Sequence, residues 1–242
     1  MRTIIWFCWF WLQLIGLLPV LHKGKKALQQ GKNAEVDQLV EKMVPKWANG
    51  LLKLAGVTVD VKGKENIPSN QAVVFVANHR SYYDIPLMLT SLDKPHPLVA
   101  KKEIEKIPIV RGWMELLRCV FLDRENPRKG MEAMNQAMDN LKKGYSVIVF
   151  PEGTRSKGSE LDLNEFKAGA FRIATKTKVP VVPVAIHASR DIMENNGGWM
   201  KPTHVTIQIL SPISTMDMDK EQLRQIPQLT QQKILEQLQK MQ

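Results

Sequence analysis

Val73-Val74-Phe75-Val76-Ala77-Asn78-His79-Arg80-Ser81-Tyr82-Tyr83-Asp84 is the stretch whose reading decides the fold. Its first five residues are a short, unbroken apolar run. Such a run suits a strand buried on both faces, the kind found inside a parallel sheet. The next seven are polar and carry a histidine and a carboxylate. Ligand sites in α/β proteins lie beyond the carboxyl ends of strands. The H-x4-D spacing lets the chain turn once and return the Asp84 carboxylate to the His79 ring. His79 would then accept a proton near neutral pH, with Asp84 fixing its tautomer and stabilising the imidazolium. The same two residues also suit an ordinary capping turn, so the pair needs company before it means chemistry.

Two further apolar runs end in the same manner. Cys119-Val120-Phe121-Leu122 leads into Asp123-Arg124, and Ser146-Val147-Ile148-Val149-Phe150 leads into Pro151-Glu152-Gly153-Thr154-Arg155-Ser156. Between and beyond them the pattern alternates. Strands are expected at 57–61, 98–100, 181–186 and 205–210. Helices are expected at 84–92, 103–117 (interrupted by Pro108 and Gly112), 127–143, 165–177 and from Asp219 onward. Residues 127–143 place Met131, Met134, Ala137, Met138 and Leu141 on one face. Pro183 argues that its strand is an edge or carries a bulge. Strands alternating with helices predict an α/β fold, a mixed but largely parallel sheet flanked by helices. If the strands ending at 77, 122 and 150 are parallel, their turns meet at one end of the sheet. Gly153 and Thr154 then offer backbone N–H groups, and Arg155 a planar donor fork that suits a phosphate. Arg124 and the Lys101-Lys102 pair add positive charge.

The 242 residues allow one large domain and an appendage, and the 44% hydrophobic content supports a sizeable core. A net charge of +10 suits an anionic partner. Nucleic acid fits worst, because the basic residues form no aromatic-interleaved stripe. Cys8 and Cys119 are the only cysteines and define no disulfide framework. No cluster has the spacing of a metal site. The chain has no G-x-S-x-G elbow, which counts against a serine hydrolase.

Residues 3–21 carry no charge and five aromatic side chains. As one helix they would be roughly 28 Å long, close to a bilayer core. Three placements compete: a signal peptide, a spanning helix, and an interfacial helix anchored by Trp6, Trp9 and Trp11. The basic cluster His22-Lys23-Gly24-Lys25-Lys26 suits anionic lipid on the cytoplasmic side. A second helix over 34–55 should kink or break at Pro45. Residues 1–56 are thus expected to be a membrane-associated helical pair, and 57–242 the chemical domain.

N-H-R-S-Y-Y-D, V-F-L-D-R, F-P-E-G-T-R-S and V-P-V-V-P-V-A-I occur in the order and wide spacing of the four blocks of the glycerolipid acyltransferases, which residues 57–210 resemble. The second block departs from the usual pattern, with Val120-Phe121-Leu122 where Gly-x-Ile is more common. The resemblance implies the glycerol-3-phosphate-acyltransferase-like fold. It implies acyl transfer from an acyl-carrier-protein or coenzyme A thioester to the sn-2 hydroxyl of lysophosphatidate. The product would be phosphatidate, made without a cofactor or metal at the cytoplasmic face of the cell membrane. The alternative is another acceptor, glycerol 3-phosphate or a different lysophospholipid. His79 would be the general base oriented by Asp84. Arg124, Glu152, Gly153, Thr154, Arg155 and Lys101 would hold the acceptor's phosphate. Arg80 and Ser81 would support the site, and Tyr82 and Tyr83 would wall it.

Overall fold

The computed structural model describes all 242 residues. The apolar N-terminal run is two helices, α1 (Arg2–Gly16) and α2 (Leu18–Gln29), bent by 47° at Leu17. The single helix expected over 3–21 does not form. Pro19 lies in the first turn of α2, where its missing N–H is harmless. In a continuous helix its ring would clash with the Ile15 carbonyl.

Helix α3 (Asn33–Ala55) runs unbroken through Pro45, against expectation. Its buried stripe of Val36, Val40, Val44, Ala48, Leu51, Leu52 and Ala55 supplies the tertiary packing that outweighs one lost hydrogen bond. Gly56 ends it in the left-handed conformation (φ 81°), its N–H returning to the last carbonyls.

The strands are β1 (Val57–Lys62), β2 (Val74–Ala77), β3 (Val99–Lys101), β4 (Val120–Leu122), β5 (Val147–Val149), β6 (Val181–His187) and β7 (Thr203–Ile209). Five form a sheet in the order β1-β7-β6-β2-β5. The parallel pair β3-β4 continues it through a parallel bridge from Leu98 to Ile148. Only the β6–β7 contact is antiparallel. The ends of β2, β4 and β5 therefore point the same way.

Pro183 does not mark an edge, because β6 lies between β7 and β2. It does sit beside a bulge. Val181 opposes Ile213 while Val184 opposes Ile209, so the facing chain carries one extra residue over that step.

Alternation along β2 sends Val73, Phe75 and Ala77 to one face and Val74 and Val76 to the other. The first face packs on α2, α3 and α4 (Asp84–Ser91) in one 29-residue cluster. Helices before residue 56 thus share a core with the sheet. The second face is covered by α6 (Pro127–Lys142), α7 (Ala168–Thr177) and α8 (Lys220–Lys240), and α5 (Pro108–Leu116) packs on α2. Gly112 lies inside α5 without interrupting it. On α6 the buried residues are Ala133, Ala137 and Leu141, and Met131 faces out instead of joining them. The tail helix is polar outside but buries Ile226, Thr230, Ile234 and Leu238, and a capping box of Asp219 and Gln222 starts it.

Candidate active site

The turn after β2 is tied down from every side. The Asn78 side chain donates to the Ile186 carbonyl (2.9 Å) and accepts from the Ile186 N–H (2.8 Å), which extends the β2–β6 pairing by one residue. Asp84, fully buried, opens α4, where the helix dipole favours a negative charge. Its Oδ2 accepts from the backbone N–H of Arg80 (2.7 Å) and of Ser81 (2.8 Å) and pairs with His79 Nδ1 at 2.8 Å. A carboxylate accepts only, so Nδ1 carries the proton and neutral His79 keeps a lone pair on Nε2. The ring is 17% exposed and stacks on Phe150 at 4.3 Å between centroids. A ring fixed on two sides with one nitrogen free can take a proton from a bound hydroxyl.

The turn after β5 is its neighbour. Glu152 is buried, and its Oε1 accepts from the His79 N–H (2.7 Å) while Oε2 accepts from the Asn164 N–H (2.9 Å). Burial pushes this carboxyl above its ordinary range, against the pull of those two N–H groups. The Ser156 N–H closes the link to the His79 carbonyl (2.8 Å). Gly153 has φ 72°, and a Cβ there would meet the Arg124 guanidinium at 3.0 Å. Arg124 reaches across from the end of β4 to donate to the Gly153 carbonyl. Lys101 ends β3 beside β4 and is exposed. Its neighbour Lys102 is ion-paired with Asp123 (3.0 Å) and Glu125 (3.1 Å), which hold its pKa above the usual lysine value. Thr154 is exposed. Arg155 lies over the Tyr82 ring, 3.5 Å from its centroid.

The fold therefore gathers all eight residues singled out from the sequence at one end of the sheet, but in two environments. His79, Asp84 and Glu152 form a buried, hydrogen-bonded knot. Arg124, Thr154, Arg155 and Lys101 form a more open basic rim, in which Arg124 donates to the Gly153 carbonyl. Glu152 is turned into the backbone, so it steadies the His79 turn and presents no oxygen to an anion. Arg80, also buried, donates to the Gly158 and Ser159 carbonyls and to Ser156 Oγ. Tyr83 is buried and packs towards Trp6 of α1, away from the rim where Tyr82 lies.

The acyltransferase family profile matches residues 58–187, which is more than half of the chain. The chain belongs to this family. Among curated relatives, the 1-acyl-sn-glycerol-3-phosphate acyltransferase of Saccharomyces cerevisiae is 33% identical over 70% of this chain and 56% of its own length. A chloroplastic relative of that name from Brassica napus is 41% identical over 64% of this chain and 44% of its own. The chain thus spans about half the length of these relatives. A probable 1-acyl-sn-glycerol-3-phosphate acyltransferase of Mycoplasma pneumoniae is 32% identical, with 80% and 77% covered. The crystal structure of the 1-acyl-sn-glycerophosphate acyltransferase PlsC from Thermotoga maritima superposes with a TM-score of 0.77 at 29% identity. That alignment covers 99% of this chain and 98% of that one.

Three contributors escaped sequence reasoning. Glu194 and Arg190 follow β6, far along the chain from the turns they touch. Arg190 donates to the Ser156 carbonyl (3.1 Å), and Glu194 contacts Ser81, Tyr82 and Arg155. No local pattern marks either. The third is Phe150 beneath the His79 ring, which the sequence showed as the end of an apolar strand and the start of the F-P-E-G-T-R-S block, without a role of its own. No group of three or more His, Cys, Asp and Glu side chains is arranged to hold a metal ion.

Proposed function

We propose that this acyltransferase moves an acyl chain from an acyl-carrier-protein or coenzyme A thioester to the sn-2 hydroxyl of 1-acyl-glycerol 3-phosphate. The carrying observation is the His79 Nδ1–Asp84 Oδ2 pair at 2.8 Å, with the carboxylate buried and the ring partly open. His79 Nε2 takes the hydroxyl proton as the oxygen attacks the thioester carbonyl. The C–S bond then breaks, and the thiolate leaves with the proton returned by the imidazolium. No acyl-enzyme and no cofactor is needed for this balance. Asp84 orients the ring and stabilises its charged form. Arg155, Arg124, Lys101 and the Gly153-Thr154 backbone receive the acceptor's phosphate. The names of the yeast, Mycoplasma and Thermotoga relatives support this acceptor.

Residues 1–56 would bring the site to its lipid. No single helix is long and apolar enough to cross a membrane, although α1 and α2 pass together as a bent pair. Helix α1 rests one face on α3. Trp6 Nε1 donates to the Leu51 carbonyl (2.9 Å), and Phe10 lies against Trp47. Ile4, Ile5, Phe7, Trp9, Trp11, Leu12 and Ile15 remain exposed. In our reading this face lies within one leaflet on the cytoplasmic side, with the lysines of α2 near the headgroups. Residues 57–242 carry the chemistry.

The test is transfer from a labelled acyl thioester to lysophosphatidate in lipid vesicles, wild type beside His79→Ala. We expect phosphatidate from the wild type and a loss of roughly a hundred- to ten-thousand-fold in the variant. Near-wild-type transfer by the variant would sink the mechanism. Acylation of glycerol 3-phosphate or another lysophospholipid instead would move the acceptor.

A further inference from the structure

Glu194 lies in the 3-10 turn Glu194–Asn196, beyond β6 and outside all four sequence blocks. Its side chain is 12% exposed, and both of its oxygens are engaged. Oε2 accepts from Ser81 Oγ at 2.9 Å. Oε1 accepts from the Tyr82 N–H at 2.9 Å and faces Arg155 Nη1 at 3.4 Å. Arg155 is the cation that lies 3.5 Å above the Tyr82 ring. One carboxylate therefore holds the backbone of the histidine turn and, from the other side, the guanidinium of the phosphate turn. The two grips differ in strength. The two bonds to the histidine turn have ordinary lengths, whereas 3.4 Å is long for a charge-assisted hydrogen bond. Only one of the five Arg155 donors is used, so most of the fork is free for a second anion.

We infer that Glu194 is a positioning residue that joins the two halves of the site. It holds Arg155 over the Tyr82 ring so that its open donors are set for the acceptor's phosphate, and it fixes the turn that carries His79. The inference rests on the acyl-transfer reading of this site and adds a residue to it. The long contact has a purpose in this scheme. Arg155 is held through one donor, and the rest of its fork stays open to the phosphate while that contact persists.

Two variants separate the grips. Glu194→Gln keeps an acceptor for the Tyr82 N–H and a polar partner for Ser81, but removes the charge that holds Arg155. Glu194→Ala removes everything. Steady-state transfer to lysophosphatidate should show Glu194→Gln with a KM for the acceptor raised about fivefold, the scale of one partly exposed ion pair. Its kcat should fall by less than KM rises, and its thermal midpoint should stay near wild type. Glu194→Ala should add a clear loss of kcat, because the His79 turn loosens. If Glu194→Gln leaves KM unchanged while the wild type transfers normally, the coupling to Arg155 is refuted and the acyl-transfer reading stands. A purely structural role would lower the thermal midpoint of both variants without splitting KM from kcat, and this would also overturn the inference. Failure of the wild type to acylate lysophosphatidate at all would bring down the underlying reading.

Discussion

The histidine turn and the basic rim stand side by side but are built on opposite principles. Around His79 and Asp84 the polar groups are buried and engaged with backbone: Asn78 with Ile186, Glu152 with His79 and Asn164, Asp84 with Arg80 and Ser81. On the rim, Lys101, Arg124 and Thr154 are exposed, and Arg155 is held by one long contact and an aromatic face. Proton transfer needs a fixed geometry, and a rigid, dry turn supplies it. In the proposed reaction, capture of a charged headgroup needs only free cations at the mouth, and long side chains in water serve well. Damage to the first region should therefore abolish turnover or folding, while damage to the second should shift acceptor affinity.

The largest effect expected from this contrast is that of Asp84→Asn. An amide there can keep its oxygen on the three donors that meet at Oδ2, but it loses the charge that stabilises the imidazolium and buries an NH2 where Oδ1 has no partner; kcat should fall roughly a hundred- to ten-thousand-fold, while acceptor KM changes little. A variant that loses only KM would erase the distinction between the two regions. Next comes Glu152→Gln, whose NH2 would face a backbone N–H. We expect a loss of about 1–3 kcal/mol in chemical denaturation at neutral pH. Because the folded pKa of Glu152 is raised, its linked stability increment is fully present below the unfolded carboxyl value and lost as pH rises through the folded one. The wild type should show that decline, and the glutamine variant should lack it. A parallel decline in both would assign it to another group.

Arg155→Ala should follow, with acceptor KM raised about tenfold, the scale of one charge-assisted hydrogen bond. Hydrolysis of the donor thioester should be little affected, and an equal loss in both reactions would make Arg155 a folding residue. The smallest effect belongs to Lys101→Ala, about threefold or less in KM and weakened by added salt, as for any exposed charge. A larger, salt-independent loss would place Lys101 in the inner region.

Much of this contrast could be read from the chain. Five apolar residues before Asn78 and the short apolar runs before Asp123 and Pro151 signalled buried parallel strands. Their shared direction put three polar turns together. What could not be read has a common cause. Pro45 sits inside α3 and Pro183 inside a central strand, because packing on a shared core and a bulge in the facing chain outweigh local preference. Glu152 belongs to the Arg155-bearing block by sequence and to the histidine turn by contact. Only the β2–β5 pairing brings its carboxylate to the His79 N–H.

The sequence by itself determined the chemistry on offer: a histidine with an aspartate five residues on, an arginine-bearing glycine turn, and an apolar, aromatic first helix. Local rules suffice there, since strand periodicity and turn composition act over a few residues. The tertiary structure decided which charge does what. It buried Glu152 and left Arg124 open. It laid α1 on α3. It also brought Glu194 across 113 residues to Ser81 and 39 to Arg155. Burial and long-range hydrogen bonds set those outcomes, and neither leaves a local pattern in the chain.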